Sequence, residues 1–99
     1  MADVVTLFNA AAANATSPAH DLGDVKAEFS LEVVTTGAPT FSLQLQGSLD
    51  NVNFFNIGSA VTATGLTSVT APLTRYVQAV LSALSGGTLT AKLAFGGGL

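Results

Sequence analysis

TRYVQAVLSALSGGTLTAKLAF, residues 74–95, alternates apolar and polar positions on both sides of a short Ser-Gly-Gly connection. On its second arm Leu89, Ala91, Leu93 and Phe95 take one face, while Thr88, Thr90 and Lys92 take the other. That two-residue period is the mark of a strand with one face buried. Residues 83–87, Ala-Leu-Ser-Gly-Gly, supply glycines able to adopt the positive φ angles of tight connections, so the two arms, 75–82 and 88–95, read as a hairpin. FSLQLQGSLDNVNFFNIGS, residues 41–59, has the same form. Phe41, Leu43 and Leu45 point inward, Ser42, Gln44 and Gln46 point outward, and the Asp50-Asn51 turn leads to a short strand containing Phe54, Phe55 and Ile57.

Upstream, Ala27, Phe29, Leu31 and Val33 alternate with Lys26, Glu28, Ser30 and Glu32, giving another half-buried strand. The turn Thr36-Gly37-Ala38-Pro39 joins it to residues 41–45, and the spacing predicts a hairpin there too. Residues 67–71 form a further strand that ends at Pro72. Six or seven short strands with frequent turns, and no helical period longer than about ten residues, predict an all-β fold: a single-domain antiparallel β-sandwich of jelly-roll type with an N-terminal arm. Residues 1–24 hold a strand-like stretch at 4–8 and an extended arm or loop at 10–23, with one helical turn at most because short isolated helices are marginal. Residues 25–95 form the core, and 96–99 are a flexible glycine tail that a partner surface can order.

Charged residues are only 9 % of the 99-residue chain and 48 % are apolar, so the surface is neutral and weakly protected against association. Lasting contact with another protein is the expectation. A net charge of −3, with Lys26, Arg75 and Lys92 the only Lys and Arg, argues against nucleic acid as a partner. No apolar run approaches the roughly 20 residues of a membrane span, and the start MADVVTLFNA lacks a basic leader region, so no membrane partner and synthesis in the cytoplasm are expected. Without cysteine there is no disulfide, thiolate nucleophile or cysteine-held zinc.

No catalytic residues, metal ligands or cofactors are assigned. His20, the sole imidazole, lies beside Asp21 without the local context of an activated nucleophile. Glu28 and Glu32 are separated by about 13 Å along one strand, too far for a glycosidase pair. Asp50, Asn51, Asn53 and Asn56 offer oxygens that suit calcium, but one carboxylate is little charge for it, and a hydrogen-bonded turn accounts for them better. Asn14-Ala15-Thr16 matches a glycosylation acceptor and is discounted for want of a secretion signal. The candidate interface is Phe54, Phe55, Arg75 and Tyr76. Adjacent strand residues face opposite ways, so the phenylalanine pair cannot enter one core. Arg and Tyr are enriched at binding hot spots, although Arg75 also has Asp24, Glu28 and Asp50 as prospective ion-pair partners.

GSLDNVNFFNIGS at 47–59, followed by TRYVQAVLSALSGGTLTA at 74–91, resembles a pattern of small virion proteins of tailed bacteriophages. There a Ser-Leu-Asp-Gly turn, an Asn, an aromatic pair and a Gly precede Arg-Tyr-Val and Ser-Gly-Gly-Thr; here Asn51 replaces the Gly, and Phe54-Phe55 stands where Trp is common. More distantly, the chain is similar to discoidin-type galactose-binding-like sandwiches. The first resemblance implies a non-enzymatic capsid decoration, or cement, protein on the capsid exterior of the virion, with the major capsid protein and itself, as a homotrimer, as partners. The alternative it leaves is a tail or head-fibre protein; the sandwich resemblance, with the exposed aromatics, leaves a carbohydrate-binding module for host-surface attachment.

Overall fold

The computed structural model describes residues 3–96. Seven strands make up one antiparallel sheet: β1 (Asp3–Ala11), β2 (Ala15–Thr16), β3 (His20–Thr36), β4 (Thr40–Ser48), β5 (Phe55–Asn56), β6 (Gly65–Ser85) and β7 (Thr88–Gly96). Their order is β1-β7-β3-β6-β4-β5, with β2 also paired to β6. Leu43, Leu89 and Leu93 are 0 % exposed and Leu81 1 %, which an open sheet with one wet face cannot achieve. No helix exists among the described residues to cover them, so the sheet covers itself. The result is the expected all-β, sandwich-like domain, 20 Å across its shortest dimension, close to two layers spaced about 10 Å apart.

The fold-over is built into the two longest strands. Between the pairs Asp21↔Tyr76 and Lys26↔Thr74, β3 advances five residues while β6 advances two; by Glu28↔Thr70, β3 has advanced two more and β6 four. Opposed bulges of this kind break the ladder and turn both strands through a corner. Pro72 sits inside β6 at that corner, where a missing N–H costs no regular ladder bond. The strand expected to stop at Pro72 therefore continues through it. One layer holds β1, β7, the later part of β3 and the early part of β6; the other holds β2, the start of β3, the later part of β6, β4 and β5. Phe29, Leu31, Val33, Leu89, Leu93 and Phe95 from the first layer meet Phe41, Leu43, Leu45, Val77 and Leu81 from the second in one core.

Two of the expected hairpins are overturned. β3 pairs with β7 and β6, not with β4, and β6 pairs with β4 and β3, not with β7. Both glycine-bearing connections are arches that carry the chain from one layer to the other. They lie side by side: Thr36↔Thr88 closes the first layer and Thr40↔Ser85 the second. A Cβ on Gly37 would come within 2.9 Å of the Gly86 carbonyl oxygen, and one on Gly87 would overlap the Thr36 carbonyl oxygen while approaching Pro39 Cδ at 3.0 Å. Glycine is needed here for close approach as well as for the positive φ of Gly37 and Gly86. The 41–59 unit does fold back on itself, with Gln46↔Asn56 and Gly47↔Phe55 in register.

At the N-terminus, β1 runs along β7 and residues 20–24, expected within the arm, open β3. Asn14 Oδ1 accepts from Leu84 N at 2.9 Å, and Ser17 is bonded in both directions to the Ala79 backbone, which ties this segment to β6. Of the expected glycine tail 96–99, Gly96 instead closes β7 in register with Glu28, and residues 97–99 lie outside the described residues, as do Met1 and Ala2.

Candidate binding surfaces

Residues paired in register share a face of the sheet, so the strand pairings sort the candidate residues. Phe55 lines up with Gly47 and through it with Val77, which is fully buried. Phe55 thus occupies an inward-facing position, yet it is 70 % exposed because no second layer reaches over it. The core is open at this edge. Phe54, just outside β5, is half-buried. Tyr76 pairs with Ser48 and Asp21 and belongs to the opposite, outer face of the layer. The four candidate residues therefore divide between two surfaces.

The open end of the core is a cleft of about 380 Å³ whose apolar wall is Leu49, Phe55, Ile57, Pro72 and Leu73. Leu49 and Leu73 are exposed, and Val52 stands exposed in the same turn. One rim is the Asp50 turn. Asp50 Oδ1 accepts from the Val52 and Asn53 backbone N–H groups, both at 2.9 Å, and from Ser48 Oγ, while Oδ2 accepts from Asn53 Nδ2 at 3.0 Å. These bonds, the backbone ones first, hold the Asp50 carboxyl well below the usual carboxylate range. Asn51 takes φ of 62°, a conformation Asn tolerates, and so fills the place of the usual Gly. The oxygens are committed to the turn, and no group of three or more His, Asp or Glu among the described residues is placed to hold a metal.

On the outer face, Arg75 pairs with Asp21, Nε to Oδ1 at 3.1 Å and Nη2 to Oδ2 at 3.3 Å, rather than with Asp24, Glu28 or Asp50. The pairing Asp21↔Tyr76 brings the two side chains together across β3 and β6. Its guanidinium also lies 5.5 Å from the centroid of the Tyr76 ring. The Arg75 hydrogen bonds, aided by Gly23 N–H, lower the Asp21 pKa. His20 pairs with Val77 on the inward side, and its Nε2 has no hydrogen-bond partner among the described residues. Glu28 is exposed and Glu32 half-buried, on the first layer.

No protein-family model and no curated protein matches the chain. Solved structures do share its fold. The SPBc2 prophage-derived protein YomS superposes with a TM-score of 0.76 at 12 % identity, over 97 % of this chain and 94 % of that one. The PBSX exported protein XepA gives a TM-score of 0.81 at 13 % identity, over 96 % of this chain but only 37 % of the longer XepA. A mutant of chitosan-binding module 1 from a Paenibacillus sp. IK-5 chitosanase/glucanase gives 0.59 at 16 % identity, over 79 % and 65 %. At these identities the likeness establishes the fold, which a prophage-derived protein, an exported protein and a chitosan-binding module have in common.

Proposed function

We propose that this is a non-enzymatic phage structural protein, a capsid decoration protein that binds the outer surface of the head and holds neighbouring major capsid protein subunits together. The observation that carries the reading is the open core edge, where Phe55 occupies an inward-facing position with no layer above it, beside exposed Leu49, Val52 and Leu73. Completing that core from outside buries apolar area worth roughly 25 cal/mol per Å², on a surface with little charge to oppose contact. The fold held in common with YomS across nearly both chains supports a phage setting. Self-association into a trimer places several such edges on one particle, and binding only the assembled lattice stabilises it by mass action.

The test is reconstitution. Purified protein is added to capsids of the encoding phage stripped of it, and bound copies are counted by quantitative mass spectrometry, alongside light scattering of the free protein. Hundreds of copies per particle, with binding lost in a Phe55→Ser/Leu73→Ser variant that remains folded, is the expected result. A few dozen copies or fewer points to a tail or head-fibre position, and no affinity for capsids overturns the proposal.

A further inference from the structure

The outer face of the second layer carries a chemistry the apolar cleft lacks. Gln46 stands in register with Asn56 on one side and Gln78 on the other, so three carboxamides form a row across β5, β4 and β6. The row is hydrogen-bonded in one direction. Gln78 Nε2 donates to Gln46 Oε1 at 2.9 Å, and Gln46 Nε2 donates to Asn56 Oδ1 at 3.0 Å. Gln44, on the same face of β4, donates through Nε2 to the Leu45 and Ile57 carbonyls at 2.9 and 3.2 Å. Each carboxamide carries two N–H donors and two acceptor lone pairs. Among the described residues, then, Gln78 and Gln44 keep unengaged carbonyl oxygens, and Asn56 an unengaged NH₂. Tyr76, two residues from Gln78 on β6, borders the row with its half-buried ring.

We infer that this amide row is a binding site for neutral saccharides. A sugar hydroxyl donates and accepts at once, and the row presents both functions in fixed directions at about the 4.8 Å spacing of adjacent strands. The mutual hydrogen bonds already restrict the glutamine rotamers, which lessens the ordering cost of a ligand. The one guanidinium on this face, Arg75, is committed to Asp21, so a phosphate or sulfate finds no cluster of cations. Val80 is the one large aliphatic residue among the outward positions 76, 78, 80 and 82 of β6, so the face offers little apolar area, and its residues of hot-spot type are already engaged, Arg75 with Asp21 and over the Tyr76 ring. The two surfaces are thus chemically distinct: an apolar edge for protein and an amide face for carbohydrate.

Side-chain NH₂ resonances of ¹⁵N-labelled protein report the site directly. Galactose, glucose, N-acetylglucosamine and lactose are titrated to concentrations above about 10 mM, a range suited to weak binding, with glucuronate and sialyllactose as charged counterparts. Saturable shifts of the Asn56, Gln46 and Gln78 NH₂ signals with at least one neutral sugar are expected. Gln46→Leu, or Asn56→Asp at the exposed end of the row if the first variant disturbs the fold, weakens that binding about tenfold or more. The inference is overturned if no probe moves these signals, if shifts are confined to the Phe55 cleft, or if the signals move with protein concentration alone, which would assign the face to a second copy. None of these outcomes depends on capsid binding.

Discussion

Replacing Gly87 by Ala should destabilise the domain far more than replacing Gly86, although Gly86 is the residue with positive φ, 94°. An alanine at position 86 meets nothing closer than Pro39 Cα at 3.8 Å, so its cost is that of a left-handed L-residue, about 1 kcal/mol. An alanine at 87 overlaps the Thr36 carbonyl oxygen and crowds Pro39 Cδ. A backbone carbonyl cannot swing aside as a side chain does, so the two arches must separate and disturb the Thr36↔Thr88 and Thr40↔Ser85 closures. Overpacking of this kind costs about 3 kcal/mol, a large share of a total near 5–15 kcal/mol. In a domain of this size that is a loss of about 12–24 °C in Tm for Gly87→Ala, against about 4–8 °C for Gly86→Ala. Urea and thermal unfolding of the two variants, at one protein concentration, read the difference. If Gly87→Ala cost less than Gly86→Ala, the arches would not pack as described and residues 83–87 would behave as the tip of a planar hairpin.

A Cβ on Gly47 would lie 2.6 Å from Thr74 Cγ2 at the corner of β6. Gly47→Ala is expected to cost about 1–3 kcal/mol, with Thr74→Ser in the same chain restoring at least half, because serine lacks the methyl but retains the Oγ bond to the Pro72 carbonyl; no recovery in the urea midpoint would refute the contact. Asp21 and Asp50 both titrate below 3.8 in the folded protein, so the unfolded chain takes up protons first as pH falls. Their contribution is complete above the unfolded pKa and lost as pH falls through the folded values, so stability should decline below about pH 4, less steeply in Asp50→Asn. Urea midpoints across that window check it, and an unchanged slope in Asp50→Asn would contradict the role given to the turn.

Which side of each strand faces the core was legible because that information is local. Phe29, Leu31 and Val33, or Leu89, Ala91 and Leu93, declare their face by period alone. Partner choice was not legible, because a hairpin and an arch between layers ask for the same turn residues. Gly86-Gly87 satisfies either, and the outcome depends on β3, some fifty residues earlier, taking the place beside β7. Pro72 looked like a strand end because a missing donor usually is one; inside a bulged corner it is harmless. The Arg75–Asp21 pair is not legible in the sequence, since only the β3–β6 register brings the two residues together. Local alternation points Gln44 and Gln46 outward, but the row they form with Gln78 and Asn56 depends on the register of three strands.

The exchange of partners between the arches also orders events during synthesis. Only β4 and β5 pair across a short turn; β1 and β3 both need β7, and Asp3 aligns with Phe95 from the other end of the chain. Few contacts can repay early loop closure, which puts folding in the slow, millisecond-to-second class of non-local β proteins. On the ribosome, β1 and the facing edge of β3 must wait until the last strand emerges. During that interval Phe29, Leu31 and Val33 lie along an unpaired edge, in a chain with little charge to repel a neighbour. High-level expression is therefore the condition under which this domain is most exposed to aggregation, however stable the finished sandwich.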